Sequence, residues 1–309
     1  MNIVFFGTSR FSELVAEALI YSKHKILAIV TQPDKVNGRN NKVTFNELKV
    51  FASKHHIPCF QFEKLNRDGE EILKGLNADC FVTASYGQII KQNILDICPI
   101  YNVHASLLPK YRGSAPIQWC LINGEKETGV SIMRTELGLD CGEVYLTKKI
   151  AIEETDIADT LFDKLALLGG QAIVEFLDNH DNLVKQGKKQ DESQMTYFPM
   201  LNKEMSKLNF NNSSDQIVNL IRGLATNMTA YFIFNDLRYK VLFAKKYLGE
   251  FNQNSAIGEV LLSSSKQGLV IKTNDGAIEI VTIQPEGKKA MSAKDFCNGG
   301  KIKQGDIIK

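Results

Sequence analysis

The sequence is poor in several things. Its six cysteines (Cys59, Cys80, Cys98, Cys120, Cys141 and Cys297) are scattered over 309 residues, and no two form a C-x-x-C pair. This gives no zinc spacing and no disulfide framework. Free cysteines in apolar runs act as small hydrophobes. No other metal-ligand spacing occurs, so no metal is expected. No apolar run reaches the ~18 residues that a membrane span needs. The opening Met-Asn-Ile-Val-Phe-Phe-Gly lacks the basic start and cleavage-like site of a signal peptide. A cytoplasmic location without a membrane partner is expected. There is no internal repeat. Gly7 stands alone after the first strand-like run, with no G-x-G-x-x-G, which weakens a dinucleotide-binding reading.

What is present is ordinary for a globular chain: 44% hydrophobic and 23% charged residues. The length suggests two domains. The net charge of +2 does not mark a polyanion binder. Its distribution says more. Residues 1–199 hold 22 basic and 25 acidic side chains, while residues 200–309 hold 15 and 10. The basic second part hints at an anionic partner such as a nucleic acid.

Strand-like and helix-like segments alternate through the first part. Asn2–Phe6, Lys25–Thr31, Cys80–Ser85, Ile100–His104, Val130–Thr135 and Glu143–Ile150 read as strands. Ser12–Tyr21, Thr44–His55, Pro116–Asn123 and Ile157–Leu177 read as helices, with a polar loop at Lys35–Lys42. Such alternation predicts an α/β fold, a mostly parallel sheet with helices on both faces. Ligands of such sheets bind beyond the carboxyl ends of the strands. Asp178–Gln194 is polar and reads as a linker or an exposed excursion. Ser213 to Gln216 has capping-box spacing before a short helix. Only short strand-like runs follow, separated by Gly and Asn turns, which predicts a smaller β-barrel.

Three places could carry chemistry. Asn102 and His104 end a strand and share a face, about 6.6 Å apart. Ser106 to Pro116 follows as a proline- and glycine-bearing loop, of the rigid kind that often forms sites. Asp140 stands in a glycine-flanked turn, as a turn-former or as a carboxylate delivered to a site.

Asn-x-His, then Ser-Leu-Leu-Pro, then Asp-x-Gly together resemble the folate-dependent formyltransferase family. The resemblance runs along the whole chain. Gly7-Thr8, Val30 to Lys35 with Gly38-Arg39, Tyr197 with Leu201 and Lys203-Glu204, and Gln284 to Met291 all fit its tRNA-acting branch. Ser9 stands where that family usually has proline. The resemblance implies a Rossmann-like domain over 1–180, a linker over 181–205 and an OB-like barrel over 206–309. It also implies transfer of a formyl group from 10-formyltetrahydrofolate to the α-amine of initiator methionyl-tRNA, by a monomer. Asn102, His104 and Asp140 would be catalytic. Tyr86, Gly87, Gln88 and Ile89, with Ser106, Leu107, Leu108 and Pro109, would hold the folate. Arg39 and Lys42 would meet the tRNA, along with Lys240, Lys245, Lys288 and Lys289; Lys246 and Lys272 are further candidates for phosphate contact. An amino-sugar acceptor, or water, is the alternative within formyl transfer. A non-catalytic RNA-binding module would have no need of the Asn102, His104 and Asp140 set.

Overall fold

Ile3, Val4, Phe5 and Phe6 are all wholly buried in the strand Asn2–Gly7. A strand covered on both faces needs such an unbroken apolar run. This strand lies inside a seven-stranded sheet, described here from a computed structural model of residues 1–37, 42–225 and 228–308. From one edge to the other the order is Val144–Ala151, Glu127–Arg134, Ile100–His104, Cys80–Ala84, Asn2–Gly7, Lys25–Thr31 and Cys59–Gln61. The last five are parallel, and the first two form an antiparallel edge.

Both faces carry helices. On one, Val4, Phe6, Ala28, Val30, Phe81 and Ile100 pack against Leu65, Leu73 and Ile94. Those three come from the short helices Leu65–Asp68, Glu70–Gly75 and Gln92–Leu95. On the other, Tyr101 meets Phe176 edge-on at 4.6 Å, and a side chain added at Gly169 would come within 2.9 Å of Val103. Both belong to the helix Ala158–Asp178. Alternation then assigns Asn102 and His104 to the first face with Ile100, as the sequence predicts.

The chain divides into two compact units. The first holds Met1–Gly113, Glu127–Ala151 and Phe162–Phe198; the second holds Ser114–Lys126, Ile152–Leu161 and Pro199–Lys309. The second unit contains an antiparallel half-barrel in the order Tyr231–Phe234, Leu237–Lys246, Ala277–Pro285, Gly268–Lys272 and Val260–Ser264. Met291–Ser292 adds a short strand beside Ala277–Pro285. Register shifts beside Phe243 act as bulges and increase the local twist. The helix Ser214–Leu224 plugs it with Ile217 and Ile221. That helix starts at the expected capping box: Ser213 accepts from the Gln216 N–H, and the Gln216 side chain accepts from the Ser213 N–H.

The polar loop expected at Lys35–Lys42 is in part a hairpin, with Lys35–Asn37 paired to Lys42–Thr44. Among the described residues no helix is long and apolar enough to cross a membrane, and no group of His, Cys, Asp or Glu could hold a metal ion.

Candidate active site

The strand Ile100–His104 delivers both of its polar residues to the carboxyl end of the sheet. Asn102 lies in register with Thr83 on the neighbouring strand, and the Thr83 hydroxyl donates to Asn102 Oδ1 at 2.9 Å. The acceptor end of the amide is thereby occupied, and its NH2 is the end left to donate outward.

His104 is buried, with its Nε2 2.9 Å from the Tyr111 carbonyl. A carbonyl only accepts, so Nε2 carries the hydrogen. Nδ1 faces Asp140, 3.7 Å from its Oδ2. That distance couples the two groups by charge, without a hydrogen bond. Asp140 is fixed separately: the Gly113 N–H donates to the same Oδ2 at 2.9 Å. Its backbone sits at φ 48°, in the left-handed region that Asp tolerates better than most residues. Asp140 is thus a turn residue whose carboxylate also lies beside His104.

The Ser106–Pro109 loop is pinned from below. Ser131, in register with His104, donates its hydroxyl to the Ser106 carbonyl at 2.8 Å and accepts from the Leu108 N–H at 3.2 Å. The Ser106 hydroxyl turns to the Lys110 carbonyl, 2.7 Å away. Leu107 packs onto Gly129, where an added Cβ would lie 2.5 Å from the leucine and 2.0 Å from the Lys148 carbonyl. These two side chains support the loop. Leu108 and Pro109 are half-buried.

Tyr86 to Ile89 follow the adjacent strand Cys80–Ala84. The Tyr86 carbonyl accepts from Thr8 Oγ1 at 3.0 Å and from Gln32 Nε2 at 2.9 Å. Burial pushes the Tyr86 phenol well above its ordinary range, and its ring packs edge-on against Phe6 at 5.4 Å. The Gln88 side chain is spent on the Leu65 N–H and the Phe62 carbonyl. Gly87, at φ 85°, is exposed, and an added Cβ would meet only Gln32 at 3.6 Å. An open ledge of backbone at Gly87 therefore lies just past the strand next to Asn102. Ile89 is exposed at its end.

A polar cluster lies behind Asp140. Gln190 donates to the carbonyls of Asp140 and Gly142, each at 2.8 Å, and accepts from Arg112 Nε at 3.0 Å. The Arg112 guanidinium grips Glu192 through both oxygens, at 2.7 and 3.1 Å, and holds that carboxyl below its ordinary range. Tyr111 stacks on Phe198 at 4.9 Å. Thr83, Ser131, Arg112 and Gln190 were not among the expected site residues.

In the second unit, Lys240, Lys288 and Lys289 are exposed. Lys240 lines a cleft of about 580 Å³ with Arg238, Gln284 and Glu286. Arg238 also lies over the Tyr231 ring at 4.1 Å. Lys245 pairs with Glu279 at 3.1 Å, and Lys246 with Asp215 at 2.9 Å. Lys272 does not fit its reading as a candidate for phosphate contact. It is buried, donating to the Thr273 carbonyl at 2.9 Å with its charge 5.4 Å from the centre of the Phe251 ring. Arg39 lies outside the described residues, and of Lys42 only the backbone is described.

Comparison with known proteins agrees over the whole length. Residues 1–177 match the formyl transferase family model, and residues 200–301 match the model of the formyl transferase C-terminal domain. A methionyl-tRNA formyltransferase of Thermodesulfovibrio yellowstonii is 42% identical over 307 residues, covering 98% of this chain and 97% of the relative. One from Malacoplasma penetrans is 40% identical over 311 residues, covering 100% and 96%. Among solved structures, the sugar 3N-formyl transferase WlaRD, determined with dTDP and 5-N-formyl-THF, superposes with a TM-score of 0.65 at 21% identity over 94% of this chain and 99% of that one. HypX from Aquifex aeolicus, in complex with tetrahydrofolic acid, superposes with a TM-score of 0.62 at 14% identity over 99% of this chain and 50% of its own.

Proposed function

The chain belongs to the formyl transferase family, and from that premise we propose how its residues perform the reaction. It transfers a formyl group from a formyl-tetrahydrofolate to methionyl-tRNA. The observation that supports the site is that Asn102 and His104 share one face at the carboxyl end of one strand, with the Asp140 carboxylate 3.7 Å from His104 Nδ1.

The folate, bound as its 10-formyl derivative, supplies an activated one-carbon unit. The ledge at Tyr86 to Ile89 and the pinned Ser106–Pro109 loop hold it. Gly87 leaves room for a ring against the backbone, and Leu108 and Pro109 give apolar wall. Asn102 donates its NH2 to the formyl oxygen as that oxygen gains charge. Removing one such donor costs roughly 100- to 1000-fold in rate. His104 Nδ1 takes the proton that the attacking amine sheds and returns it to the departing folate nitrogen, so the new C–N bond and the broken one balance. An imidazole nitrogen can accept a proton and give it back, which fits it to act as general base and then as general acid. The Asp140 carboxylate, 3.7 Å away, offsets the positive charge that His104 carries between the two transfers.

The tRNA is met by the exposed Lys240, Lys288 and Lys289 with Arg238, by Lys245 once its pair with Glu279 opens, and by Arg39 and Lys42 of the first unit. Phosphate contacts of this kind set position and make binding salt-dependent. Residues 1–180 serve as the catalytic domain, 181–205 as the linker and 206–309 as the tRNA-binding domain. The enzyme works as a cytoplasmic monomer on the initiator species. Incubating the purified chain with 10-formyltetrahydrofolate and three acceptors tests this, with products weighed by mass. Methionyl initiator tRNA should gain 28 Da, the mass of CO replacing one hydrogen by a formyl group, while free methionine and an amino-sugar nucleotide should not. Formylation of the sugar alone would overturn the acceptor.

A further inference from the structure

The two halves of the catalytic pair are held by the two peptide groups that flank one buried arginine. Tyr111 offers its carbonyl to His104, and Gly113 offers its N–H to Asp140. Arg112 lies between them, and its own side chain reaches round through Gln190 to the Asp140 backbone. Its N–H is fixed to the Thr196 carbonyl at 2.9 Å. We infer that Gln190, gripped by Arg112, is a positioning residue for Asp140, and that this clamp sets the separation between Asp140 and His104. The inference rests on the catalytic reading above.

The hydrogen-bond capacity of Gln190 is filled in one direction. Its amide donates twice, to Asp140 and Gly142, and its oxygen takes Arg112. Asp140 sits at φ 48°, and two hydrogen bonds hold it there, from the Gln190 amide to its carbonyl and from the Gly113 N–H to its carboxylate. Glu192 is the weaker arm. Its side chain is 66% exposed, and it reaches Asp140 only through Arg112 and Gln190. The donors of Gln190, more than the charge of Glu192, carry the effect.

The clamp acts through Asp140 and touches no substrate, so its removal should lower kcat and leave KM alone. The full-length protein is assayed for formyl transfer as wild type, Gln190→Ala, Gln190→Glu, Asp140→Asn and the double variant Gln190→Ala/Asp140→Asn. Misplacing a catalytic group by a fraction of an ångström to 1 Å costs about 10- to 100-fold. Gln190→Ala should lose that much in kcat, with both KM values within about twofold. Gln190→Glu keeps an oxygen for Arg112 but loses both donors, and should be as slow. In the Asp140→Asn background, Gln190→Ala should cost less than about twofold, since there is no charge left to place. A Gln190→Glu variant at wild-type kcat, or a Gln190→Ala loss that adds in full to Asp140→Asn, would overturn the clamp. If Asp140→Asn itself ran at the wild-type rate, the catalytic reading would fall and the clamp with it.

Discussion

His104 Nδ1 and Asp140 Oδ2 face each other at 3.7 Å, and neither holds the other in place. The imidazole hangs from the Tyr111 carbonyl and the carboxylate from the Gly113 N–H. Among the described residues no hydrogen bond competes for Nδ1, which suits the proposed role of taking and giving a proton. Asp140→Asn keeps the shape and the bond to Gly113 but removes the charge. It should lower kcat about 100-fold and leave tRNA affinity unchanged, measured by single-turnover transfer and by filter binding.

Thr83→Val tests the orientation of Asn102. The change is nearly isosteric and removes the hydroxyl that fixes the amide. Losing about 1 kcal/mol of hydrogen bonding corresponds to roughly a fivefold fall in kcat. Folate KM should hold, because the Thr83 hydroxyl is spent on Asn102. Steady-state kinetics with the folate varied separates the two.

The basic face of the second unit has a salt signature. Lys288→Ala and Lys240→Ala should each weaken methionyl-tRNA binding and reduce the slope of log K against log salt by about 1. Lys272→Met should leave that slope untouched, because this lysine is buried beside Phe251. A titration series over salt concentration gives all three slopes.

Acid should destabilise the fold in two steps. Burial holds the His24 imidazole below its ordinary value of 6.5, although Asp178 bonds its Nε2 and pulls the other way; the Met1 amine and Lys23 add to the lowering. A base lowered by folding is protonated more readily in the unfolded chain, so stability is full above about pH 6.5 and falls as pH drops below it. Asp34, held below its ordinary value of 3.8 by hydrogen bonds from Lys49 and Gln61, adds a second loss at lower pH. Melting temperature against pH should show both, and His24→Gln should flatten only the upper step.

Much of this was legible before any coordinates. Ile100–His104 and Lys25–Thr31 appear at the boundaries their apolar runs predict. The shared face of Asn102 and His104 follows from strand alternation alone. Cys59–Gln61 and the helices around Leu65, Leu73 and Ile94 were not named. They are too short to show a period, and burial against the sheet stabilises them. Gln190 was hidden differently. It sits in a polar stretch that reads as linker, fifty residues from Asp140, and no local pattern marks a side chain whose partners are backbone carbonyls. Lys272 reads as a candidate for phosphate contact because a buried lysine in a strand has no sequence signature, and only the folded chain shows Phe251 beside it.

The most direct measurement is single-turnover formyl transfer by His104→Ala, run beside tRNA binding by the same preparation. Transfer should fall by at least about 100-fold while methionyl-tRNA is bound as tightly as by the wild type. Transfer at near wild-type rate from a folded His104→Ala protein would contradict the assignment of the Asn102, His104 and Asp140 site.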